Sequence, residues 1–354
     1  MLAGFLFGLS ACVLWGCIYL VPVMLPGYDP VVIATGRFIA FGLVTLPLWW
    51  AWRREFAHYT RRDWLTAAEL GVVGNCVYYW CLTQCIQKAG APFAGMCMAL
   101  IPVLVAVIAN LRDKKRGRSV AWRRLMPPLF LLFAGLVLAN YSEFEAVTAA
   151  AGSRVFWVGT VFGVAALLIW TWFPIVNADW LIDHPARSPK AWTTAQGITT
   201  LPAALVGFAL AESALPAETP ALGVTPWLFV GLMVFSGVIC SWFGNVLWAE
   251  MSRRLPTALA GQMIVFETIF AVTYAHLYRW EWPSVTMLIG MVCLVAGVVL
   301  SLRVFYRLDY ISNYICNCEV LRAVRNGNII KLIIYHNNKQ LYNHKTAATV
   351  SLHK

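Results

Sequence analysis

The chain has 354 residues, 60% of them hydrophobic and only 12% charged, with a mean hydropathy of +0.68, so it cannot hide its apolar surface inside one water-soluble core; it reads as a polytopic membrane protein. Its net charge of +11 does not point to nucleic acid, because the basic residues sit in short loops between apolar stretches rather than on one soluble face. Runs such as Leu100 to Leu111 do not alternate, which excludes a transmembrane β-barrel and leaves helices.

In chain order, apolar stretches of about 20 residues, the length of a helical span, are centred near residues 13, 41, 76, 102, 132, 166, 202, 238, 267 and 291. The first lacks a basic leader and an Ala-x-Ala site, so it is read as a retained span and not a signal peptide. Breakers separate the spans at Pro26-Gly27-Tyr28-Asp29-Pro30, Lys88-Ala89-Gly90-Ala91-Pro92 and Glu281-Trp282-Pro283. Trp49, Trp50, Trp52, Trp64, Trp280 and Trp282 lie at span ends, where tryptophan anchors a helix at the headgroups. Pro22, Pro47, Pro102, Pro174 and Pro202 fall inside apolar stretches, where each removes a backbone hydrogen bond; Pro22, Pro102 and Pro174 are the candidate hinges, and static kinks fit equally well.

The spans repeat. Gly8, Ala11 and Trp15 recur as Gly163, Ala166 and Trp170, and Thr45-Leu46-Pro47 recurs as Thr200-Leu201-Pro202, all at an offset of 155. Gly95 matches Gly261 and Ala109 matches Ala275 at 166, and Ala134 to Leu138 matches Ala296 to Leu300 at 162. The expected fold is therefore all-α, with ten transmembrane helices as two five-helix repeats over 1–141 and 153–305. Fifteen lysines and arginines fall in loops on the side of the N-terminus, against Lys88, Arg154 and Arg279 on the other, which predicts N-in and C-in. An odd number of spans per half then makes the repeats inverted. From residue 306 to 354 the chain turns polar and Asn-rich without a repeat partner, and is read as a disordered or vector-derived tail. Most cysteines lie within spans; no zinc spacing or His-x-x-x-His pattern appears, Cys316-x-Cys318 is a poor metal motif, and no cofactor is expected.

In hydrocarbon the polar face of a helix turns inward. The third span carries Asn75, Tyr78, Tyr79 and Leu82 on one stripe, and the eighth carries Ser241, Asn245, Trp248 and Ser252. Tyr79 falls on Asn245 at the repeat offset of 166, so the two stripes are expected to face each other across a midplane chamber. The alternative is that they bond neighbouring helices. Trp15 and Trp170, mid-span, either pack between helices or touch a solute. On the fourth span Ala91, Ala94, Gly95 and Met98 leave room for a ligand or simply pack. Arg37 is expected to snorkel or to form a structural pair, Glu250 to pair with Arg253 or Arg254 at the surface, and His276 to stay near a span end. Glu267, mid-span with no basic neighbour in sequence, is the candidate coupling group, since hydrocarbon penalises a charged carboxylate; a structural carboxyl is the competing reading. Gln262, about 140° away on an ideal helix, should not share its wall.

Trp15-Gly16 with Tyr19 and Pro22, Asp29-Pro30 followed by Arg37, and Ala91-Pro92 leading to Ile101-Pro102 make residues 1 to about 305 resemble the drug/metabolite transporter superfamily, of the EamA type. The aromatic density and the run Gln262 to Thr268 are similar to its aromatic amino acid exporters, although no proline follows Glu267. The resemblance implies a ten-helix secondary transporter of a bacterial inner membrane, exporting aromatic and other apolar amino acids by alternating access. Its partners would be that solute and membrane lipid. A carrier of another metabolite or drug is the alternative. An enzyme is not expected, because no cluster of carboxylates, histidines or Ser/His pairs stands at a membrane edge, and no nucleotide-binding loop is present.

Overall fold

The computed structural model describes residues 2–25, 28–89, 93–94, 97–98, 100–115, 121–139, 154–214, 222–280, 282–321, 332–333 and 349–350. Ala91, Pro92, Gly95 and the loop 140–153 between the expected repeats lie outside the described residues, as do the side chains of Cys316 and Cys318. Two compact units emerge, Met1–Val299 and Leu300–Lys354.

Eight of the described helices are long and apolar enough to cross a membrane: Leu2–Met24, Pro30–Ala51, Trp122–Ala139, Arg154–Asp183, Pro189–Ala214, Pro226–Ser252, Thr257–Tyr278 and Val285–Val304. The apolar helix Ile101–Arg112 is shorter. The stretch expected around residue 76 is helical from 61 to 89 without a break. Glu69, Asn75, Gln84 and Gln87 within it dilute its hydropathy, and it stands apart from the eight.

Helix starts follow local chemistry. Asp29 caps Pro30–Ala51 by accepting from the Val31 amide at 2.7 Å, with Pro30 supplying a preset first turn. Thr60 and Asp63 form a reciprocal capping box at the start of Arg61–Ala68. Pro47, Pro174 and Pro202 sit inside continuous helices. Pro22 follows a 3₁₀ turn over Cys17–Tyr19. Pro102 is not mid-helix: it stands in the first turn of Ile101–Lys115, where its missing N–H costs nothing.

Two segments wind as π-helix, Glu69–Val77 and Phe235–Phe243. They are separated by the same 166 residues that relate the polar stripes. A π-turn shifts the hydrogen bond from i→i+4 to i→i+5 and frees carbonyls for side chains.

The helices of the two halves pack on one another. Pro30–Ala51 lies along Pro189–Ala214, and Ile101–Lys115 along Thr257–Arg279. Tyr78–Ala89 packs on Arg154–Asp183, while Leu2–Gly16 packs on Gly244–Ser252. Trp122–Ala139 meets the last apolar helix at a close approach, where a Cβ on Gly135 would fall 2.9 Å from the Gly290 carbonyl oxygen. We call the end of the bundle holding Leu2, Trp52–Arg62, Asp183–Ser188 and Ser252–Leu255 the near end, and the opposite end, where Met24 and Ala89 finish their helices, the far end.

In the second unit, residues 300–321 are helical. Leu332–Ile333 pairs antiparallel with Thr349–Val350.

Candidate functional site

A cavity of about 350 Å³ lies between helices of both halves. Its lining on Leu2–Met24 runs from Trp15 to Val23, the half of that helix that leads to the far end, and on Tyr78–Ala89 from Tyr78 to Ile86.

Rings make its floor. Tyr78 stacks on Trp170 at 4.4 Å between centroids and 15° between planes, and Trp170 stacks in turn on Phe173 at 4.9 Å. Trp15 meets the edge of Trp170 at 6.2 Å and lies over Trp248 at 5.0 Å. The Trp15 indole N–H donates to the Cys240 carbonyl at 2.9 Å, one of the carbonyls within the second π-segment. Packing and lining are thus the same role for Trp15 and Trp170, which the sequence left as alternatives.

Polar groups make its walls. Arg37 does not snorkel to a helix end: its Nε donates to Ser241 Oγ at 2.9 Å, and its guanidinium lies over the rings of Phe38 (5.0 Å) and Tyr79 (5.5 Å) on the cavity wall. A partner 204 residues away turns the side chain inward. Ser241 passes its own proton to the Ser236 carbonyl at 2.9 Å, a five-residue spacing that fits π winding. Opposite, Tyr19 donates to Glu267 Oε1 at 3.1 Å, while Glu267 Oε2 is buried with no partner. Asn75 lines the cavity with a buried, unpartnered Nδ2, and Tyr78 points its hydroxyl at the Met98 sulfur, 3.8 Å away.

Of the residues singled out by sequence, Asn75, Tyr78, Tyr79, Asn245, Trp15, Trp170, Met98, Glu267 and Pro22 line this cavity, together with Ala94. Ser241 and Trp248 stand one layer behind it, holding Arg37 and backing Trp15. Gln262 is fully buried away from the lining, and Pro102 and Pro174 do not reach it. The spacing argument missed Tyr19, Ile18, Phe38 and the inward turn of Arg37. Tyr19 was within reach of it, one helical turn after Trp15 on the same face.

The near end is sealed. Trp180 stacks on Trp192 at 3.5 Å and on His184 at 4.5 Å, within a cluster that includes Phe56, Tyr59, Leu70 and Phe173. Trp52 and Trp64 pack against this cluster and are not free anchors, whereas Trp50, Trp280 and Trp282 are exposed. Asp63 accepts from the Trp180 indole at 2.8 Å and lies 3.6 Å from His184. Burial pushes the Asp63 carboxyl up, but the hydrogen bonds from Thr60 and Trp180 and the nearby His184 outweigh it and leave it below the usual value. Burial holds the neighbouring Tyr59 phenol well above its ordinary value. Arg187 donates to the His58 carbonyl at 2.8 Å, the Ser188 amide to Glu55 at 2.6 Å, and Arg253 to the Pro185 carbonyl at 3.0 Å. Glu250 pairs with Arg254. His276 contacts the Val272 carbonyl at 2.9 Å, and among the described residues no cluster of His, Cys, Asp or Glu could hold a metal.

A family model described as the EamA-like transporter family matches residues 2–141. The inner membrane protein YtfF of Escherichia coli (strain K12) is 37% identical over 307 residues, covering 86% of this chain and 96% of that protein. One solved crystal structure is similar at a TM-score of 0.65 and 18% identity, covering 86% of this chain and 98% of the other; at that identity the likeness speaks for the fold alone.

Proposed function

The chain belongs to the EamA-like transporter family, and from that premise we propose that it exports amino acids, aromatic and other apolar ones, by opening one chamber alternately to either face of a bacterial inner membrane. The observation that carries this reading is the chamber itself: a floor of stacked rings under walls that hold one guanidinium and one carboxyl group. At about 350 Å³ it falls at the small end of ligand pockets, which span roughly 300–1,000 Å³. Among the described lining residues Arg37 is the one cation, which counts against a solute with several phosphates. The likeness to aromatic amino acid exporters rests on the sequence motifs.

Alternating access is supported by the packing pattern. Exchanging the proposed halves, 1–141 and 153–305, maps the contact of Tyr78–Ala89 with Arg154–Asp183 onto that of Gly244–Ser252 with Leu2–Gly16. It maps the pairing of Pro30–Ala51 with Pro189–Ala214 onto itself, and one π-segment onto the other. Two inverted five-span units related by a pseudo-twofold axis would produce that pattern. The near end gathers Arg53, Arg54, Arg61, Arg62, Arg187, Lys190, Arg253 and Arg254, which supports a cytoplasmic near end with N-in and C-in. YtfF is named an inner membrane protein, and the same location is proposed here. Pro22, Pro102 and Pro174 are the proposed bending points and Glu267 the proposed coupling carboxyl.

Purified protein in proteoliposomes should take up phenylalanine, tryptophan and leucine saturably, and an imposed pH gradient should change the rate if Glu267 couples the cycle to protons. Vesicles that accumulate none of these solutes would refute the proposal.

A further inference from the structure

The chamber is lined by one basic and one acidic side chain that form no ion pair with each other. Among the described residues neither Arg37 nor Glu267 is in an ion pair; Arg37 donates to Ser241 and lies over the Phe38 and Tyr79 rings, and Glu267 accepts from Tyr19. Charges in hydrocarbon are costly unless paired. A helix bundle that only needed stability would have brought these two together or left both out. The Cys17–Tyr19 turn packs on both the Phe235–Phe243 segment, which pins Arg37 through Ser241, and the Thr257–Arg279 helix, which bears Glu267. Both charges therefore line adjacent parts of one chamber.

The unpartnered atoms have complementary characters. Glu267 is 8% exposed, and its Oε2 lacks a donor; Asn75 is 4% exposed, and its Nδ2 lacks an acceptor. Asn75 lies four residues before Tyr79, over whose ring the Arg37 guanidinium rests, so the unpartnered amide N–H and the guanidinium are donors on one stretch of the wall. The Glu267 corner offers an acceptor.

We infer that the chamber is built for a zwitterion, with Arg37 and Asn75 holding the carboxylate and Glu267 the ammonium of a free α-amino acid whose side chain lies on the Tyr78–Trp170 floor. The inference rests on the reading that an amino acid is the solute, and it adds which groups select it. Glu267 contributes to binding whether or not a pH gradient drives the cycle.

The test is competition against radiolabelled phenylalanine bound to the purified full chain. Phenethylamine, which lacks the carboxylate, and 3-phenylpropionate, which lacks the amine, should each compete roughly 10-fold or more weakly than phenylalanine, because each leaves a buried charge without its ligand. Arg37→Gln should erase the preference over phenethylamine and keep that over 3-phenylpropionate; Glu267→Gln should do the reverse. The inference is overturned if the wild-type protein binds all three within twofold, or if the variants lose both preferences together or neither. Should a variant lose its monodisperse elution profile, the wild-type panel decides alone. Failure of the wild-type protein to bind any α-amino acid would instead remove the proposed function, and this inference with it.

Discussion

Replacing Tyr78 separates the ring floor from the polar walls. Its side chain is 8% exposed, stacks on Trp170 at 4.4 Å, and touches Met98 only through a long hydroxyl–sulfur contact of 3.8 Å. A stacked aromatic pair contributes about 0.5–1.5 kcal/mol beyond burial. If a bound aromatic side chain uses this floor, Tyr78→Ala should raise its KM by about 2- to 13-fold, the same energy converted through RT. Leucine, which offers no ring, should be affected less. Tyr78→Phe keeps the ring and gives up only the weak contact, so its KM should stay within about twofold of wild type. Initial uptake rates of phenylalanine and leucine in proteoliposomes, with thermal midpoints of the same preparations, measure all of this. Equal KM values for both solutes in Tyr78→Ala and wild type, or a Tyr78→Phe protein as impaired as Tyr78→Ala, would refute the assignment of this ring to the solute.

Ser241→Ala removes the acceptor of Arg37 Nε and should lower phenylalanine affinity about 10-fold while sparing protein yield, as read by the same binding competition. Asp63→Ala deletes the capping box and orphans the Trp180 indole; a loss of about 2–4 kcal/mol is expected, read as a lower thermal midpoint at neutral pH. The Asp63 carboxyl is lowered from an ordinary value of 3.8, so its stabilisation is present above that pH and lost as pH falls through the lowered value. The gap between wild type and Asp63→Asn should therefore close only in strong acid. Single cysteines at Arg53 and Arg253 should react with an impermeant thiol reagent from one side of the membrane and a cysteine at Trp282 from the other; labelling of the first two from opposite sides would dismantle the inverted arrangement.

The polar stripes read at helical spacing located most of the cavity wall. Tyr78, Tyr79 and Asn245 stand in α-helical segments, where spacing of 3.6 residues projects correctly onto one face, and they line the cavity. Ser241 and Trp248 were placed on the same stripe as Asn245 but stand behind the wall, whereas Asn75 lines it from within π winding, so winding alone does not decide the outcome; Ser241 lies within the π-segment Phe235–Phe243. Nothing in the residues of that segment signals the change in winding, and its match at Glu69–Val77 emerges only in three dimensions. Arg37 and Glu267 were legible as expensive charges and not as parts of one chamber, because their partners lie 204 and 248 residues away. The helix over 61–89 coincides with the apolar stretch expected around residue 76, although it is not among the eight helices apolar enough to cross a membrane.

The near end of the bundle is held by two kinds of contact, and their mixture bears on the proposed cycle. At the near end the seal combines stacked rings with polar ties across the proposed halves: Arg187 to His58, Ser188 to Glu55, and, from helix to helix, Trp180 to Asp63. Each such bond contributes a net of about 0.5–1.5 kcal/mol, since water replaces it on opening. Three of them amount to a few kcal/mol, a quantity that a solute's differential binding can overcome. Buried rings alone would make a deeper and less reversible closure, because separating them exposes apolar surface at about 25 cal/mol per Å² with no compensating hydrogen bond. A carrier that must open at this end thus gains from a seal whose polar ties water can replace, and Asp63, shared between its helix cap and Trp180 and set beside His184, is where the two kinds of contact meet.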